Sequence, residues 1–153
     1  MRTRWTRCTS ATCTPVIPEA DVEAEGHILR VTNRLEMTTP RGDVEATLTT
    51  TDFGPGFQTV HITGAVDTLM VDISTPIDDE YTDVSFAYTV RKAQDGSHER
   101  VGKARIRDLE HRFEQDRPIW ENKTYHARPL LCPEDGNFGA YRRWMKQFFS
   151  EDY

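Results

Sequence analysis

Asp116 is the residue whose surroundings carry the most chemical information. Leu109, Phe113, Asp116 and Trp120 follow at +0, +4, +7 and +11, the spacing of one stripe along an α-helix. A carboxylate in such a stripe projects toward whatever the apolar residues pack against. Burying it costs on the order of several kcal/mol unless it is paired, hydrogen-bonded or bound to a metal. Spacing alone leaves two roles open. Asp116 either pairs with a base such as Arg112 or reaches water near Pro118, or it serves as a metal ligand or acid–base group.

The other reactive side chains form no recognisable constellation. His61 sits in an alternating segment, and a lone strand histidine is ordinarily a hydrogen-bonded core or surface residue. His27, His98, His111 and His126 make no i, i+4 pair, and there is no H-E-x-x-H, G-x-S-x-G or glycine-rich phosphate loop. Arg142-Arg143, flanked by Tyr141 and Trp144, resembles a nucleic-acid contact only superficially. The net charge of −6 disfavours both nucleic acid and anionic lipid. Cys8, Cys13 and Cys132 are odd in number and lack zinc spacing, which reads as free thiols in a reducing cytoplasm.

The elements that must hold these residues change character along the chain. Residues 1–20 show no periodicity and are expected to be irregular; residues 21–153 form the single folded unit. Residues 28–37, 44–51, 57–63, 69–73 and 84–90 read as five strands. Val44, Ala46 and Leu48 share one side. Val60 and Ile62 face opposite to Phe57, Thr59 and His61, and Leu69, Val71 and Ile73 alternate in the fourth strand. Gly54-Pro55-Gly56 is a turn. Short connections imply an antiparallel sheet, because parallel pairs need long crossovers. Residues 99–117 read as a helix that Pro118 ends or kinks. Residues 141–149 form a short terminal helix, with Trp144, Phe148 and Phe149 as its apolar face. The expected class is α+β, a curved antiparallel sheet around one long helix. At 153 residues the chain suits one domain, and no apolar run approaches the roughly 20 residues of a membrane span.

Several motifs resemble a known family. Phe113-Glu114-Gln115-Asp116-Arg117-Pro118-Ile119-Trp120-Glu121-Asn122-Lys123 is similar to the F-x-Q-D-x-x-I-W-x-N-K signature of Rieske-type oxygenases, in the 3-ketosteroid 9α-hydroxylase and cholesterol-desaturase-like subgroup. Leu130-Leu131-Cys132-Pro133-Glu134-Asp135-Gly136 and Tyr141-Arg142-Arg143-Trp144-Met145-Lys146-Gln147-Phe148-Phe149 resemble that subgroup's next stretches. Thr14-Pro15-Val16-Ile17-Pro18 resembles the piece after its second iron-ligating histidine. The resemblance covers roughly residues 14–149. It implies a helix-grip (START/Bet v 1-like) fold, incomplete here. It also implies steroid-ring hydroxylation at a mononuclear non-haem iron, held by two histidines and a carboxylate, with Asp116 at the carboxylate position.

The departures shape the expectation. The family's [2Fe-2S] motifs, C-x-H and C-x-x-H, are absent, and residues 1–13 hold no histidine where the family carries D-x-x-H-x4-H. The iron site is therefore expected to be incomplete and the chain inactive alone. One reading of residues 1–13 is an out-of-frame translation of GC-rich DNA; truncation is the other. The resemblance implies electrons from a reductase. A histidine-supplying subunit would complete the site, and an oligomer is compatible with that. The alternative is a metal-free helix-grip module that binds a sterol or other apolar ligand, with Phe57, His61, Phe86 and Tyr88 as lining residues.

Overall fold

A computed structural model describes residues 2–4, 20–39, 42–64, 66–91, 97–131 and 138–150. The three cysteines and residues 14–18 lie outside them, as do residues 40–41, 92–96 and 132–137. Among the described residues, seven antiparallel strands form one sheet: β1 (Arg2–Arg4), β2 (Asp21–Glu25), β3 (Ile28–Thr39), β4 (Gly42–Asp52), β5 (Phe57–Ile62), β6 (Thr68–Pro76) and β7 (Tyr81–Val90). Their order is β1-β7-β6-β5-β4-β3-β2, a meander from β2 to β7 with β1 added at the far edge. Two helices follow, α1 (Ser97–Glu121) and α2 (Phe138–Met145), the second running into a 3₁₀ turn at Lys146–Phe148.

The five expected strands are present, and two more extend the sheet. β2 reads Asp-Val-Glu-Ala-Glu and is mostly exposed, so it has no clean apolar alternation. Charges along an outer strand discourage pairing with another chain. β1 corrects the expectation that residues 1–20 are wholly irregular: Arg2, Thr3 and Arg4 pair with Asp83, Thr82 and Tyr81. Three residues are too few to show a period.

Register divides the sheet into two faces. Leu48, Ile62, Thr68 and Val90 oppose one another across β4 to β7, as do Thr50, Val60, Met70 and Tyr88. This inner face carries the core of Val60, Ile62 and Met70, with Met37, Leu48, Phe86, Tyr88 and Phe113 packed against it. Leu69, Val71 and Ile73 belong to the other, outer face. The apolar alternation of β6 therefore marks the solvent side: Leu69 and Ile73 are exposed, while Thr68 and Met70 are buried.

Helix α1 packs against β7 and β1. Gly102 permits the close approach, since a Cβ there would stand 2.9 Å from Val90 Cγ1. Farther along α1, Phe113 stacks on Phe86 with ring centroids 4.0 Å apart. The helix thus runs antiparallel to β7. Of the two expectations for Pro118, that it ends the helix or kinks it, the first does not hold: α1 continues to Glu121. Trp120, buried beyond the proline, holds the last turn down, and Arg117 Nε donates to Glu121 Oε1 at 3.0 Å. Asn122 Nδ2 then donates to the Pro118 carbonyl at 2.8 Å, which satisfies one of the helix's terminal acceptors.

At the other end, Trp144 Nε1 and Gln147 Nε2 each donate to Gly26 O at 3.0 Å and tie α2 to the β2–β3 turn. Trp144 is buried and meets Phe148 edge-on, as the helical spacing implies; Phe149 points to solvent. Gly56 joins β4 to β5 at φ +87°, where a Cβ would lie 2.5 Å from Ser74 O, so the position requires glycine.

Candidate functional site on the inner face

One cross-strand row of the inner face carries two carboxyl groups. Leu29, Asp52, Gln58, Asp72 and Phe86 oppose each other in turn across β3, β4, β5, β6 and β7. At about 4.8 Å per strand, the backbone positions of Asp52 and Asp72 stand roughly 10 Å apart, with Gln58 between them. Gln58 Nε2 donates to Asp52 Oδ1 at 2.8 Å. Asp72 Oδ1 is buried and has no hydrogen-bond partner among the described residues. The row ends at Phe86, under the Phe113 ring of α1.

Electrostatics follow from this enclosure. Burial raises the Asp52 carboxyl above its ordinary value, and the hydrogen bond from Gln58 opposes the rise. Burial, reinforced by the Asp52 charge, pushes Asp72 up to about 6. Tyr88, in the adjacent row, is pushed up to about 12 by burial, then by Glu110 and Asp72. A carboxyl near 6 is partly protonated at neutral pH and can donate or accept a hydrogen bond. The Tyr88 phenol stays neutral.

Asp116 follows Phe113 by three residues on α1, an axial rise of about 4.5 Å. It is half-buried, as are Leu109 and Phe113 in the same stripe, and Trp120 is fully buried. The Phe113 and Trp120 rings stand 5.7 Å apart. Arg112 pairs with Asp108 at 3.1 Å, so the basic neighbour considered for Asp116 is engaged elsewhere. Among the described residues no three His, Cys, Asp or Glu side chains are grouped to hold a metal ion. Asp116 alone does not make an iron site.

The four candidate lining residues divide between faces. Phe86 and Tyr88 lie on the inner face beside the polar row. Phe57 and His61 project from the outer face and are exposed, opposite Ile73 and Leu69. His61 borders an open depression of about 330 Å³ together with Asp67, Thr68, Leu69, Thr89, Val90 and Arg91, where Arg91 and Asp67 form an ion pair at 3.3 Å. The structure therefore does not bring the four together. Conversely, Asp52, Gln58 and Asp72 were missed by sequence reasoning. Their signal was period 2 continued one step past Val60 and Met70, where a polar residue occupies the core side.

Arg142 is structural: its guanidinium lies 4.6 Å from the Phe138 ring centroid and 4.9 Å from that of Tyr125, and Nη1 donates to Ala127 O.

The sequence model of the 3-ketosteroid 9alpha-hydroxylase C-terminal domain matches residues 16–149. Among curated proteins, the oxygenase component of a 3-ketosteroid-9-alpha-monooxygenase from Rhodococcus rhodochrous is 57% identical over 37 residues, 24% of this chain and 9% of that protein. A second such component from the same organism is 29% identical over 105 residues, 63% and 28% of the two chains. A cholesterol 7-desaturase of Hemicentrotus pulcherrimus is 50% identical over 40 residues, 26% and 8%. The aligned stretches cover at most 28% of these three relatives. Among the described residues no helix is long and apolar enough to cross a membrane.

Proposed function

We infer, from the premise that the chain belongs to the 3-ketosteroid 9alpha-hydroxylase C-terminal domain family, that residues 21–153 are the ring-binding part of a Rieske-type oxygenase acting on a steroid. The observation that carries this reading is the stack of Phe113 on Phe86. It sets the stripe of Phe113, Asp116 and Trp120 against a sheet face lined by Val60, Met70 and Tyr88. Flat apolar rings suit such a surface, which has aromatic walls and few polar groups. The arrangement supports a helix-grip fold in which α1 closes one side of the binding face.

A mononuclear iron, when bound, supplies oxygen activation in such a site. The residues described here do not fit it unaided, because Asp116 has no companion ligands. The two histidines would have to come from another chain or segment, and electrons from a reductase; the relatives are named as oxygenase components. Three cysteines without zinc spacing suit a reducing compartment such as the cytoplasm. What this chain's own residues do is bind and orient. The apolar row of Val60, Met70 and Tyr88 excludes water from one ring face, and Phe113 presses from the helix side.

A second reading is a metal-free module that holds the same ligand without oxidising it. The polar row favours it, since Asp52, Gln58 and Asp72 equip the face for recognition without a metal. Three measurements on the purified chain separate the readings. Titration with a steroid ketone, followed by tryptophan fluorescence, should saturate; no binding overturns both. Stoichiometric iron that Asp116→Ala abolishes supports the oxygenase arm, and iron that survives Asp116→Ala rejects Asp116 as a ligand. Steroid-dependent thermal stabilisation without iron supports the module.

A further inference from the structure

We propose that the outer face of the sheet is the seat of a second copy of this chain, and that two copies pack face to face across a two-fold axis near Val71. The contact lies opposite the ring-binding face and stands independently of that reading.

Strand register exposes the feature. Eleven positions of β4 to β7 point outward level with β5, from Thr49 and Thr51 through Thr59 and Val71 to Ala87 and Thr89. None is Asp, Glu, Lys or Arg, although the chain is 29% charged and about three would be expected. Phe57 at 42%, Leu69 at 37% and Ile73 at 41% exposure rise from this neutral ground. Phe53 prolongs it past β4, its ring centroid 5.6 Å from that of Phe57. Helix α1 takes the inner side, through Phe113 on Phe86, and leaves the outer side open among the described residues.

Neutrality selects the occupant. A two-fold axis sets residues near it against their own copies, so a charge there would meet its like. Two chains of net charge −6 also repel at long range. An uncharged face can meet itself, and it gives a strongly charged partner nothing to pair with. Depletion of charge among exposed aromatic and aliphatic side chains is the composition of an interface core. Both signs stand at the margins, Arg30 with Glu23 at 3.7 Å and Arg91 with Asp67 at 3.3 Å, so each copy can offer either sign across the axis.

Sheets pack face to face about 10 Å apart. Four strands about 4.8 Å apart and roughly 20–25 Å long give a footprint of about 400–500 Å² per copy. A standard interface takes about 800 Å² per partner, so this dimer is reversible and forms at about 10–100 µM.

Sedimentation velocity of the full chain from about 2 to 300 µM tests the contact. The mass should rise from that of the monomer toward twice that value. Higher salt should shift the rise to lower concentration, because it screens the repulsion between the net charges. Val71→Lys sets two cations against each other at the axis and should weaken association at least tenfold, and Val71→Glu likewise. An equimolar mixture of the two variants should associate again, a recovery that a folding defect does not give. Ala87→Lys, exposed in the same row, should weaken association while the monomer keeps its circular dichroism and melting temperature. A chain that stays monomeric at 300 µM, association that salt weakens, or association that survives both lysine variants overturns the proposal. A mixture that does not recover overturns the axis near Val71.

Discussion

The two faces of the sheet distribute polarity in opposite ways. On the inner face, under α1, two carboxyl groups and an amide lie in one row among Val60, Met70 and Phe86. On the outer face, Phe57, Leu69 and Ile73 stand more than a third exposed. Burial that served stability alone would exchange these residues: apolar groups inside, carboxyls outside. The inner face instead keeps groups that raise the folded state's energy. The comparison teaches that packing alone does not account for its composition.

The largest expected difference between the faces is in truncation. Trp120→Ala should lose about 3–5 kcal/mol by urea denaturation, because the buried ring closes α1 over the sheet. Phe57→Ala on the outer face should lose less than about 1 kcal/mol, since its ring is already wet. Equal losses would show that the outer face is covered in solution.

Next comes the seat of α1. Gly102→Leu forces a side chain into Val90 and should cost about 1–3 kcal/mol. Ala87→Leu, on the exposed outer side of the same strand, should stay within about 0.5 kcal/mol.

The third prediction concerns pH. Asp72 titrates near 6 in the folded chain, against an ordinary 3.8 unfolded. The folded state holds the proton more tightly, so the group's favourable contribution is full below 3.8 and is lost as pH rises through about 6. Asp72→Asn should therefore be more stable than the unaltered chain at pH 7–8. The difference should shrink toward pH 4, as followed by denaturant midpoints. A variant less stable at pH 8 would mean that the carboxylate is paired.

The smallest effect is expected from Ile73→Thr, a change of less than about 0.5 kcal/mol, because β-branching is kept and the hydroxyl that replaces the ethyl arm faces solvent.

Much of this was legible in the sequence where local periodicity and tertiary burial agreed. Val60 and Ile62 alternate and are buried; Leu109, Phe113 and Trp120 recur at helical spacing and are buried or half-buried, with Phe113 stacked on the sheet's Phe86. Legibility ended where the two disagreed. In β6 the apolar alternation of Leu69, Val71 and Ile73 marks solvent, because a period of two gives the face but not its side. Phe57 and His61 were grouped with Phe86 and Tyr88 for the same reason. Register between strands sets that choice, and register depends on turns such as the one at Gly56. Pro118 misled differently: its local penalty was outweighed by the burial of Trp120 two residues later. The polar row was hidden because Asp52, Gln58 and Asp72 are distant in sequence and adjacent only across the ladder.

The central claim, that the inner face is where the ligand lies, is tested most directly by photolabelling. A diazirine-bearing ketosteroid irradiated with the full chain and mapped by peptide mass spectrometry should mark residues among Gln58, Val60, Met70, Asp72, Phe86, Tyr88 and Phe113. Saturable labelling confined to Phe57, His61, Leu69 and Ile73 would place the ligand on the opposite face and contradict the account.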